Sequence, residues 1–62
     1  MQVKLIRRPK VEELTSLSAS AIYKKIELGT FPRPVRIRRQ AVAWRESDIL
    51  TWIDDLKTTD IA

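Results

Sequence analysis

VEELTSLSASAIYKKIELGTFPRPVRIRRQAVAWR, residues 11–45, carries the two periodicities that decide the fold. Before the single glycine, Gly29, apolar residues recur at helical spacing; after Val35 they recur at every second position. The helix at the centre is marked at both ends. Ser18 is an N-cap whose hydroxyl accepts from backbone N–H groups that have no partner inside the helix. Leu17 and Ile22 have the spacing of a hydrophobic staple, and Ile22 and Ile26 continue one apolar stripe. Ser20, Tyr23, Lys24 and Glu27 point away from that stripe. Gly29 sits where a left-handed C-terminal cap belongs, and Pro32 and Pro34 prevent the helix from resuming. The helix is expected over residues 18–28.

Upstream, Pro9 suits the first turn of a helix running from about Pro9 to Thr15, with Glu12 and Glu13 favouring its positive end. Val11 and Leu14 form its inner face, and Thr15 and Ser16 make a polar break. So short a helix does not persist alone and needs the next one to pack against. Val3, Leu5 and Ile6 read as a short extended lead-in. Downstream, Phe31 plugs the end of the core. A hairpin follows over residues 35–45, in which Val35, Ile37, Val42 and Trp44 are expected to rest on the helices while Arg36 and Arg38 face outward. Arg39 and Gln40 form its tip. The tip lacks the Asn-Gly or Asp-Gly pair of a two-residue turn, so a loop of about four residues is expected. Ser47 is a candidate N-cap for the last helix, whose stripe is Ile49, Trp52, Ile53 and Leu56. Trp44 and Trp52 both read as core. The expected fold is a small α+β winged helix-turn-helix, helix-helix-hairpin-helix, with one domain over residues 1–57 and a disordered tail over residues 58–62.

Sixty-two residues make one domain at most, and a marginally stable one. The absence of cysteine and histidine removes disulfides, thiolate nucleophiles, the usual zinc ligand sets and the usual general base. The paired acids Glu12-Glu13 and Asp54-Asp55 point in different directions on their helices. No enzyme, cofactor, metal or small-molecule substrate is expected. No apolar run approaches the length of a membrane span or of a signal peptide's apolar region, so a cytoplasmic protein is expected.

Charge is uneven. Residues 1–45 hold eleven Lys and Arg against three Glu, whereas residues 46–62 hold one Lys against five Asp and Glu. A basic body with an acidic end points to a polyanion-binding face and a separate partner-facing helix. Double-stranded DNA is the expected polyanion, because exposed aromatics for stacking on RNA are missing apart from Tyr23. On this reading the second helix enters the major groove. Ser18, Ala19 and Ser20 lead, Tyr23 and Lys24 lie one turn on, and Lys25 anchors a phosphate. Ser20 reads equally as a second capping hydroxyl, and Tyr23 as a half-buried residue whose hydroxyl bonds a phosphate. Arg36, Arg38, Arg39 and Gln40 make the hairpin a wing for the backbone or the minor groove; the bland reading is an edge strand protected by charge. Arg7, Arg8, Lys10 and Arg33 are further candidate phosphate contacts.

LTSLSASAIYKKIELGTFPRPVRI followed by AVAWRESDILTWI resembles the AlpA family of phage-type regulators, and more distantly the excisionases and MerR-like winged helix-turn-helix domains. The resemblance covers about residues 4–57. It rests on Leu17-Ser18, Ile22-Tyr23, Gly29, Phe31-Pro32, Pro34-Val35, Ala43-Trp44-Arg45-Glu46, Ile49 and Trp52-Ile53. It implies a transcriptional activator, or an excisionase directing an integrase, encoded on a prophage or genomic island. AlpA-like proteins often carry Arg and Thr where this chain has Ala19 and Ala21, so its target sequence is expected to differ from those of its relatives. The acidic third helix and tail, with Glu46, Asp48, Asp54, Asp55 and Asp60, are the expected contact for further copies, an integrase or RNA polymerase. The competing reading is a protein-interaction module on the same scaffold; it needs an exposed apolar patch, and no apolar residues are expected to remain once the core is filled.

Overall fold

The computed structural model describes residues 4–59. Its elements in chain order are β1 (Leu5–Ile6), α1 (Arg8–Thr15), α2 (Ala19–Glu27), β2 (Val35–Arg38), β3 (Ala41–Arg45) and α3 (Glu46–Asp54). This is a small winged helix-turn-helix. Val3 of the lead-in, and Asp60 to Ala62 of the expected tail, lie outside the described residues.

Local chemistry accounts for both ends of α2. The Ser18 hydroxyl accepts from the Ala21 N–H at 3.2 Å, satisfying one otherwise unpaired donor. At the other end Gly29 takes φ +77°, and its N–H donates to the Ile26 carbonyl at 3.0 Å. An added Cβ at Gly29 would meet nothing within 4 Å, so only backbone strain opposes a side chain there. Gly29→Ala is expected to cost about 1 kcal/mol, lowering the melting temperature of so small a domain by about 4–8 °C. A melt followed by circular dichroism checks this. The break between α1 and α2 also uses a left-handed residue, Ser16 at φ 62°, whose N–H reaches the Glu12 carbonyl at 2.8 Å.

The lead-in does more than extend. Leu5 pairs with Arg45 and Ile6 with Trp44, so β1 completes a three-stranded antiparallel sheet in the order β1-β3-β2. One core joins the elements: Ile6, Val11, Ile22, Phe31, Trp44 and Ile49, with Leu14, Leu17, Ile26, Trp52 and Ile53 packed against it. Both indoles also pin the loop between α2 and β2. Trp44 Nε1 donates to the Pro32 carbonyl at 3.0 Å and Trp52 Nε1 to the Thr30 carbonyl at 2.9 Å, while Phe31 meets Trp52 edge-on with centroids 4.8 Å apart. The angle between α2 and the hairpin is thereby tied to β3 and α3.

Five expectations need correction. The hairpin turns through Arg39 and Gln40 alone, between Arg38 and Ala41, not through a longer loop. Neither turn residue has positive φ, so the turn does not match the twist of the strands as a primed turn would. The mismatch is absorbed by a bulge between Arg36 and Arg38. That bulge also alters the faces. Val35 lies opposite Ala43, Arg36 opposite Val42 and Arg38 opposite Ala41, and directly opposed residues share a face. Arg36 therefore shares the face of Val42, and Arg38 the other; Ile37, at the bulge, is 42% exposed and does not rest on the helices.

At α3 the N-cap is Arg45, not Ser47. The Glu46 N–H donates to the Lys4 carbonyl at 2.8 Å, so a backbone group beside β1 does the work of a capping side chain. The helix closes at Asp55, the Leu56 N–H turns back to Ile53 at 3.1 Å, and Leu56 leaves the stripe at 56% exposed. Finally, apolar residues do remain outside the core: Leu5, Leu28, Ile37, Leu50 and Leu56 are all exposed. The short strands and short helices have too little inner face to bury them.

Candidate nucleic-acid interface

Pairing of β1 with β3 carries the chain past the hairpin tip as it enters α1. As a result Arg7 and Arg8, remote in sequence from the wing, line the same depressions as its tip. One cleft is bounded by Arg7, Arg38, Arg39, Gln40 and Ala41. The next is bounded by Arg7, Arg8, Pro9, Tyr23, Gln40, Val42 and Trp44 and encloses about 510 Å³. Arg7 and Gln40 belong to both, so the two adjoin, and neither is lined by a carboxylate. Four arginines, an amide and a phenol around an open depression are the donor set that a run of phosphates requires.

Arg8 is influenced by two neighbours on its side of the cleft. Tyr23 first, and Glu12 second, raise its pKa above the ordinary arginine value. Arg8 Nε also meets Glu12 at 3.0 Å, and Lys10 Nζ meets Glu13 at 3.2 Å. Both are exposed pairs within α1, a weak class of interaction that phosphate can displace. The positive end of α1 adds to the local field, since its N-cap Arg7 makes no side-chain capping bond.

The residues singled out from sequence divide into groups. Tyr23, Arg7, Arg8, Arg38, Arg39 and Gln40 are brought together. Ser20, Lys24, Lys10 and Arg33 are exposed but line neither cleft, while Ala19 and Lys25 are half-buried. Ser18 is engaged in its cap. Arg36 is held by the fold: its Nη1 donates to the Arg39 carbonyl at 2.7 Å, tying strand to turn. Sequence reasoning placed Arg36 with Arg38 and did not anticipate this.

Among the described residues no helix is long and apolar enough to cross a membrane, and no group of His, Cys, Asp and Glu is assembled to hold a metal ion.

The chain is similar to known proteins of phage origin. Residues 4–58 match the family described as prophage CP4-57 regulatory protein (AlpA). An uncharacterized protein of Enterobacteria phage P4, ORF88, is 38% identical over 52 residues. That similarity covers 84% of this chain and 59% of the phage protein, so the chain spans under two thirds of that relative's length.

Proposed function

The chain belongs to the AlpA family of prophage regulatory proteins, and from that premise we propose that it is a sequence-specific double-stranded DNA-binding protein without catalytic activity. It acts in the cytoplasm as the transcriptional regulator or excisionase of a phage or genomic island. Residues 1–57 form the DNA-binding domain. Helix α2 enters the major groove, where Ser20 and Lys24 lead and Ala19 offers a methyl to thymine. The wing lies along the backbone or minor groove through Arg38 and Arg39.

The observation that carries this reading is the pair of adjoining arginine-lined clefts that run from the wing tip to the start of α1 and to Tyr23 of α2. It gives the backbone a track beside the groove-reading helix, and phosphate contacts of this kind fix register before bases are read. One such module has a small footprint, so discrimination is raised by further copies or by a larger partner, an integrase or RNA polymerase, meeting the acidic side of α3.

Fluorescence anisotropy with a labelled random duplex tests the reading. With about four phosphates engaged, affinity should fall on the order of a hundredfold between roughly 50 and 200 mM salt. No binding at the lower salt, or binding indifferent to salt, would sink it. The exposed Leu28, Leu50 and Leu56 then favour the protein-interaction module as the second reading.

A further inference from the structure

A groove of opposite character lies between the 29–32 loop and α3. It encloses about 470 Å³; Phe31 and Trp52 wall it, with Thr30 and Thr51 beside them and Asp48 and Asp55 on its border. The wall is held in place: the rings of Phe31 and Trp52 meet at 63°, and the indole N–H is committed to the Thr30 carbonyl. What Trp52 offers a visitor is therefore its ring and not its donor.

Asp48 and Asp55 stand two helical turns apart, about 10 Å along the axis and on the same side. They are too far apart to share one metal ion. Among the described residues neither has an ion-pair partner, the pairs formed being Arg8 with Glu12 and Lys10 with Glu13. In a chain with twelve Lys and Arg, none lines this groove. The sign of the surface is locally reversed.

Charge complementarity names the occupant. A nucleic acid is repelled by the two carboxylates, and an apolar helix would strip water from them without return. A guanidinium answers both features, since its plane stacks on an indole and its fork donates to a carboxylate, whereas an ammonium supplies only a point charge. We propose that this groove receives an arginine side chain presented by a partner protein, stacked on Trp52 and bonded to Asp48 or Asp55. This refines the α3 contact proposed above by giving the partner's chemistry. The groove shares no residue with the arginine-lined clefts, so DNA and partner are held at once.

The test is a nuclear magnetic resonance titration of the ¹⁵N-labelled full chain with acetyl-Gly-Arg-Gly-amide, and with its counterparts carrying citrulline or lysine. The arginine peptide should shift the Gly29, Thr30, Phe31 and Thr51 amides and the Trp52 indole N–H, with a dissociation constant in the millimolar range. At least one of Asp48→Asn and Asp55→Asn should weaken it about threefold, with DNA affinity in the anisotropy assay undiminished. Equal binding of the citrulline or lysine peptide, shifts that avoid these resonances, or Asn variants that both bind as wild type would overturn the assignment. Shifts of the same resonances on raising protein concentration alone would overturn the separate partner in favour of a second copy. Because DNA binding is measured apart, failure here and failure of the DNA reading are distinguishable.

Discussion

Trp44→Ala is expected to unfold the chain at moderate temperature. The indole is fully buried at the centre of the core, on the middle strand of the sheet, opposite Ile6. Removing a buried aromatic of this size costs about 3–5 kcal/mol from lost burial and the cavity left behind. Domains of this length have only about 3–9 kcal/mol to lose. The change also leaves the Pro32 carbonyl without its donor at 3.0 Å, which frees the loop that orients the hairpin. In urea denaturation followed by circular dichroism, the variant should be largely unfolded before denaturant is added, or should melt more than about 15 °C below wild type. Trp44→Phe separates the two contributions. It keeps most of the volume and loses the N–H, so a cost of about 1–2 kcal/mol is expected. A melting temperature for Trp44→Ala within about 5 °C of wild type would show that another part of the core carries the stability.

What the sequence declared and what it concealed follow from the range of the interactions involved. Helix α2 was legible because its signals are local: Ser18 caps within its own first turn, Ile22 and Ile26 are one turn apart, and Gly29 needs only its own φ. The hairpin was legible as two strands but not in register. Ala41 and Ala43 alternate with Val42 and Trp44, and both sets are small or apolar enough to be buried, so a period of two could not choose the inner face. The structure buries Ala41, Ala43 and Trp44 alike. The start of α3 was misplaced because its first N–H is satisfied by Lys4, far away in sequence. The site followed the same division. Each arginine could be read as a cation, but bringing Arg7 to Arg38 and Arg39 depends on the pairing of β1 with β3, and β1 spans only Leu5–Ile6. Two residues carry too little periodicity to announce a strand.

The combination Arg7→Ala, Arg38→Ala, Arg39→Ala should reduce affinity for a random duplex on the order of a hundredfold at low salt, with the fold intact. These three arginines line one cleft and are all exposed. None of them donates a side-chain hydrogen bond to another residue among the described contacts, so alanine there should leave the melting temperature within a few degrees. Arg36 is left in place on purpose, because its bond to the Arg39 carbonyl would mix a folding effect into the binding one. Each arginine that neutralises a phosphate contributes about one unit to the slope of log affinity against log salt. The triple variant should therefore lose about three units of slope as well as affinity. The slope is the decisive reading: a drop in affinity with an unchanged slope would mean that the substitutions had disturbed α2, and not that phosphate contacts had been lost. If affinity and slope both match wild type, the clefts are a solvated charged surface, and the polyanion must meet the chain through Lys24, Lys25 and Arg33 instead.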